Sequence, residues 1–348
     1  MAYTTIDDPT EHFDTALWTG NGNSSGPSVS SLKFKPKFLW SKRRDATANN
    51  YIYDTVRHNS DSPNLFLNPN NQDAEQTFNA FTLADNGFTL ATDNVYFNAD
   101  SGTYVAWNWK GSDSSSASNS DGNIGTSTVS VNTTAGFSVG IYSGDNSDAN
   151  KTVGHGLGAV PAMVIVRPRD EARHWLIWHK HLDDNDKALL FVNDAAADNR
   201  FGPDAPTSTV FGAYGGQGNR GTTDFVFYAF ANIQGYSRMG SYIGNGSANG
   251  PFVHTGFKPA MVMIKLSDAN DEWLIYDNKR DPINVTSRRL NPSSNGAEQT
   301  SQTIDMLSNG FKPRSTGANI NQDNNTYIYY AVAEAPFVSS KGVPTTAR

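Results

Sequence analysis

An all-β fold of three tandem antiparallel β-sandwich repeats, jelly-roll or lectin-like and about 100 residues each, is what the sequence predicts. Three observations carry it. The phrase Phe34-Lys35-Pro36-Lys37-Phe38-Leu39-Trp40 returns as Phe257-Lys258-Pro259-Ala260-Met261-Val262-Met263, with a degraded copy at Leu157-Gly158-Ala159-Val160-Pro161-Ala162-Met163-Val164. Copies this long are domain-sized, not solenoid repeats of roughly 20–50 residues. Asn-Gly and Asp-Gly pairs at 21–22, 86–87, 121–122, 245–246 and 309–310 supply hairpin turns. No stretch of helical length is amphipathic; Asp194–Asp198 would hold one turn at most.

The elements follow in one order in each copy. A turn opens it: Gly20-Asn21-Gly22, Gly144-Asp145 or Gly244-Asn245-Gly246. The proline phrase then starts a short apolar strand. Next come Tyr51-Ile52-Tyr53-Asp54, Trp175-Leu176-Ile177-Trp178 and Trp273-Leu274-Ile275-Tyr276-Asp277. Arg57 and Arg280 lie three residues past the matched aspartates, and His179 takes the aspartate's place in the middle copy. Leu67-Asn68-Pro69 matches Leu290-Asn291-Pro292, with Val192-Asn193 between them. Each copy closes on an aromatic run: Tyr104–Trp109, Phe225–Phe230 and Tyr327–Val332. Tyr104, Ala106 and Asn108 alternate with Val105, Trp107 and Trp109, the period of a strand covered on both faces.

These matches divide the chain into residues 1–110, a Ser/Asn/Gly stretch at 111–130, a divergent copy at 131–235, a third copy at 236–337 and a polar tail at 338–348. Residues 111–130 have the composition of a flexible linker. The junction near Gln234-Gly235 is abrupt and implies rigid docking of the last two copies.

Composition narrows the function classes. Aromatic residues at 11% and charged residues at 18% do not fit a disordered chain. A net charge of -7 argues against a nucleic-acid footprint, and Lys42-Arg43-Arg44 and Arg288-Arg289 read as solvated turns. With no cysteine there is neither a disulfide framework nor a thiolate site. The N-terminus lacks a basic-then-apolar leader and no apolar run is long enough to span a bilayer, so cytosolic synthesis without membrane insertion is expected.

Candidate chemistry concentrates in the middle copy. His174, His179 and His181 lie near Asp183, Asp184 and Asp186. His179 and His181 share a strand face, so a divalent site is geometrically open, although exposed strand-end histidines are the simpler reading. The acidic loops at 183–186 and 268–272 could offer oxygen ligands to calcium, but lack EF-hand spacing. No other cofactor is expected. Asp54 with Arg57 and Asp277 with Arg280 read as structural ion pairs, since a catalytic pair would not be duplicated. No nucleophile elbow, Walker loop or zinc-protease motif occurs. Residues without a counterpart are the candidate contacts for a partner or ligand: His174, His179, His181, Asp183, Asp184, Arg200 and Arg220.

The phrases Gly244-Asn245-Gly246, Gly250–Pro259, Ile275–Arg280, Leu307–Lys312 and Thr326–Tyr329, with the opening Thr5–Pro9 and Leu17–Gly22, carry a family resemblance. The chain resembles a β-rich repeat domain of virion proteins from marine tailed bacteriophages, those of cyanobacteria and of abundant ocean heterotrophs (cyanophages and pelagiphages), often described as fibre-like or lectin-like. The resemblance covers nearly the whole chain and implies a non-enzymatic structural protein of the virion. It implies other virion proteins as partners, and a host-surface glycan or protein if the chain is a tail fibre or appendage. A capsid or tail decoration protein is the alternative, and a glycan-binding or polysaccharide-degrading enzyme module a distant one. The resemblance transfers no catalytic residue.

Overall fold

The computed structural model describes residues 2–57, 63–145, 147, 150–198, 201–214 and 218–346, and is all-β with several antiparallel sheets. The first segment holds β1 (Phe13–Thr19), β2 (Ser28–Val29), β3 (Phe38–Arg43), β4 (Asn50–Asp54), β5 (Asn64–Phe66), β6 (Gln76–Phe78), β7 (Phe81–Ala84), β8 (Gly87–Leu90) and β9 (Thr103–Trp109). The second holds β10 (Ala117–Asn119), β11 (Ser127–Asn132), β12 (Phe137–Ser143), β13 (Lys151–Gly154), β14 (Pro161–Pro168), β15 (Leu176–His179), β16 (Val210–Ala213) and β17 (Asp224–Ala231). The third holds β18 (Ser237–Ile243), β19 (Val253–His254), β20 (Phe257–Leu266), β21 (Leu274–Asp277), β22 (Ile304–Leu307), β23 (Gly310–Pro313) and β24 (Thr326–Pro336). One strand order occurs three times, as β1-β9-β3-β4, β12-β17-β14-β15 and β18-β24-β20-β21.

Side-chain alternation along β9, β17 and β24 decides where the cores lie. One face of each strand (Tyr104 and Ala106; Phe225, Phe227 and Ala229; Tyr327, Tyr329 and Ala331) enters a core private to its segment. There it meets small sheets such as β2-β8-β7 and β19-β23-β22. The other face (Val105, Trp107 and Trp109; Val226, Tyr228 and Phe230; Ile328, Tyr330 and Val332) enters one cluster common to all three segments. That shared core also takes Phe38, Trp40, Met163, Ile165, Met261 and Met263. All seven tryptophans are buried. Each segment therefore has a core of its own, as its size predicts, but is also tied to the other two.

Residues 111–130 differ from the flexible linker expected of their composition. β10 and the start of β11 lie within them and extend the second sheet to six strands, β10-β11-β12-β17-β14-β15. The serines are compatible with a strand because their hydroxyls find backbone acceptors: Ser127 donates to Gly154 O at 2.6 Å. The Leu-Asn-Pro phrase also finds a different match in the middle segment. Leu67, Leu189 and Leu290 each form an isolated bridge with Ile52, Ile177 and Ile275, so Leu189-Leu190 occupies the place expected of Val192-Asn193. In the tail, Val338 bridges Pro344 and Ser340 N donates to Asp7 at 2.6 Å, joining the two ends of the described chain.

A buried asparagine repeats with the fold. Asn98, Asn219 and Asn321 accept from the backbone N of Asn21, Asp145 and Asn245 at 2.8–2.9 Å. Their amides donate back to those side chains and to the carbonyls of Asn23, Ser147 and Ser247. The turn glycines are fixed by close approach: a Cβ on Gly20 or Gly244 would lie 2.1 Å from a backbone carbonyl oxygen.

Candidate functional site

Where the segments meet, the sequence places two chains of paired charges in a dry environment. Asp54 is fully buried at the end of β4. Its Oδ1 accepts from the backbone N of Val56 and Arg57 at 3.0 and 2.9 Å, and its Oδ2 from Arg57 Nε at 2.5 Å. Arg57 passes the chain on to Glu75 at 2.8 Å, and Glu75 pairs with Arg169 of the second segment at 2.9 Å. Asp277 at the end of β21 repeats the arrangement with Arg280 at 2.5 Å, Glu298 at 3.2 Å and Arg44 of the first segment at 2.9 Å. Burial opposes the charge on Glu298, yet the Arg44 and Arg280 guanidiniums hold its carboxyl below the usual range. Arg44 is thus an interface residue and not part of a solvated turn. Lys42, two residues before it, is buried, and burial pulls its ammonium down to about 8.

Three sets of hydrogen bonds each join the segments pairwise into a closed ring, with the His179 contact reversed in donor direction from its two counterparts. Tyr228 OH of the second donates to Asp54 of the first at 2.7 Å, and Trp107 Nε1 of the first to Asp277 of the third at 3.0 Å. His179 Nε2 of the second closes the circuit on Tyr329 O of the third at 3.2 Å. Trp175 donates to Asn68 O at 2.8 Å, Trp273 to Leu190 O at 2.7 Å and Asn50 to Asn291 O at 3.2 Å. Backbone bonds complete the third set, from Glu75 N to Arg169 O, Ala196 N to Ser267 O and Glu298 N to Arg44 O. The three boundaries are equivalent in backbone geometry.

They are not equivalent in charge. Between the second and third segments His179, Leu182, Ala196 and Ser267 stand where the other boundaries carry Asp, Arg, Glu and Arg. Here a cavity of about 300 Å³ opens, lined by Leu182, Ala196 and Ser267 together with His181, Asp183 and Lys187.

The expected contact residues fall unevenly around it. His179 is 1% exposed and accepts from His181 N at Nδ1, which makes Nε2 the protonated nitrogen. Burial, with the neighbouring His181 and Lys180, pushes its pKa down to about 3. It is an interior residue and not a surface contact, because it replaces an interior aspartate. His181 and Asp183 do line the cavity. Burial and the nearby Lys180 and Arg238 hold the His181 imidazole below its ordinary value. Asp183 is held by Lys187 at 2.8 Å. Asp184 is exposed at a turn, accepting from Asp186 N at 3.4 Å. His174 is half-buried, and Arg220 lies elsewhere, paired with Glu171 at 3.2 Å. Arg200 lies outside the described residues. Among the described residues no three His, Asp or Glu side chains converge as cation ligands.

Sequence reasoning missed Leu182, Ala196 and Ser267. The signal was present, as positions charged in the other two copies turned neutral, but Ala196 could not be aligned with Glu75 and Glu298 without the backbone bond that equates them.

Comparison with curated proteins and with solved structures finds no match in either. One family model, described as a domain of unknown function (DUF7483), matches residues 8–336, a single span over all three segments, and the chain belongs to that family.

Proposed function

We propose that the chain is three tandem β-sandwich repeats closed on one another as a rigid, non-enzymatic structural part of a bacteriophage virion, most simply a tail fibre or appendage subunit that contacts the host surface. The observation that carries this reading is the cyclic set of bonds around a shared core. It yields a three-sided block in which Asp54 and Asp277, braced by Arg57 and Arg280, hold segments together. Such groups buttress a scaffold; a reaction would need them near a cleft. The phage assignment itself rests on the resemblance of the repeated phrases to marine-phage virion proteins. Calcium and a host-surface ligand belong to the same reading as candidate contacts of the outer loops.

The test is location. Gold-labelled antibody against the protein, applied to purified particles of the phage that encodes it, is expected to mark the tail end. Label on the capsid lattice would favour the decoration role instead. Purified particles that carry no label would overturn the virion reading.

A further inference from the structure

We propose that the cavity between the second and third segments is a binding site for a guanidinium side chain of a partner polypeptide. The argument comes from the chain's own two other boundaries. At each, the residue that follows the long central strand is an arginine, Arg169 after β14 and Arg44 one position past β3, and its guanidinium crosses to the next segment. After β20 that residue is Ser267, and the carboxylate that would face it has become Ala196. The backbone bond from Ala196 N to Ser267 O, 2.9 Å, is kept, so the frame has not collapsed around the missing side chains. About 300 Å³ stays open in their place, at the lower end of pockets that take small ligands.

The field around the opening selects a cation. Asp183 and Asp268 line it against Lys187, and Lys187 is already held by Asp183 and Asp198. Loops 180–198 and 266–272 together carry eight carboxylates against two lysines. The buried Lys265 beside them is turned to Asp271 O at 2.8 Å. His181 adds no charge at neutral pH, since its imidazole is held below its ordinary value. A planar guanidinium fits such a site better than an ammonium because it can bind a carboxylate with two parallel bonds, as Arg44 does with Glu298. Leu182 offers the apolar wall for the methylene stem.

The experiment is calorimetric titration of the full chain with the tripeptide Ac-Gly-Arg-Gly-NH2, and with Ac-Gly-Glu-Gly-NH2 as its counterpart. The arginine peptide is expected to bind at a single site and the glutamate peptide not to bind. The double variant Ala196→Glu, Ser267→Arg rebuilds the pair seen at the other boundaries and should abolish the heat. Asp183→Asn, on the exposed rim, should weaken binding several-fold while leaving the fold intact, and it decides the matter if the double variant does not fold. Absence of binding at millimolar peptide, equal binding of the glutamate peptide, or unchanged binding in both variants overturns the proposal. None of these outcomes depends on where the protein sits in a particle.

Discussion

Asp54 and Tyr228 meet at 2.7 Å across the boundary between the first and second segments, and the same carboxylate oxygen holds Arg57 at 2.5 Å. With two backbone amides on the other oxygen, the carboxylate has no vacant acceptor position of consequence. Its removal would leave the Arg57 guanidinium in a site where its side chain has no exposure. Breaking one partner of such a buried pair destabilises by about 3–5 kcal/mol. Asp54→Asn and Asp277→Asn should each lose that much in urea unfolding followed by tryptophan fluorescence. A loss below about 1 kcal/mol, as for an exposed pair, would show that the boundaries do not rely on these charges.

His179 makes the remaining boundary sensitive to acid. Its folded pKa is pushed down to about 3, while an unfolded histidine titrates near 6.5. Below that value the unfolded chain takes up a proton that the folded chain refuses, so stability falls as pH falls, by up to about 1.4 kcal/mol per pH unit. The effect is absent above about pH 7. His12 and His155, also lowered by burial, act in the same direction, so the informative quantity is a difference between proteins. At pH 7.5 His179→Gln should be less stable by about 1 kcal/mol through its weaker hydrogen bonding. Between pH 6.5 and 4.5 the gap should close and then reverse. Parallel pH curves for the two proteins would refute the assignment of His179 as a buried neutral residue.

The asparagine clamps predict a local effect. Asn321 satisfies the backbone N of Asn245 and donates to two carbonyls, Ser247 O and Ser315 O, at a buried position. Asn321→Ala leaves these groups unpaired and should cost about 1–3 kcal/mol in thermal or urea unfolding. Hydrogen exchange should accelerate first at residues 244–249. Uniform acceleration over the third segment would mean that the clamp is not local.

Legibility tracks sequence separation. Strand starts, turns and the aromatic alternation are set by neighbours a few residues apart, and they appear in the phrases themselves. The Asp54–Arg57 pair was legible for the same reason, being three residues long. Arg44–Glu298 was not, because 254 residues separate its partners and nothing local marks Arg44 as an interface residue. The linker reading failed for a related reason. Serine and asparagine look flexible on their own, but β11 gains its ladder only once β12 is beside it, and Ser127 its buried acceptor only once Gly154 at the end of β13 is close. The candidate site combines both cases: His181 and Asp183 were visible as oddities, whereas the cavity beside them is made by what Ala196 and Ser267 lack.

The shared core changes what a truncation should do. Residues 1–110 contribute Phe38, Trp40, Ile52, Trp107 and Trp109 to the cluster that also holds Phe230 and Tyr330. Burying one large apolar side chain stabilises by about 1.5–3 kcal/mol, so these five alone represent roughly 10 kcal/mol. That is comparable with the whole stability of an ordinary domain, about 5–15 kcal/mol. Fragment 111–348 also loses Asp54 and Glu75, which leaves the Tyr228 hydroxyl and the Arg169 guanidinium without these partners. It should therefore fail to reach a native state, binding a hydrophobic dye and melting without a sharp transition. The intact chain should unfold as one cooperative unit in calorimetry, and three resolved transitions, or a fragment that melts like a folded protein, would show that each segment stands on its private core alone.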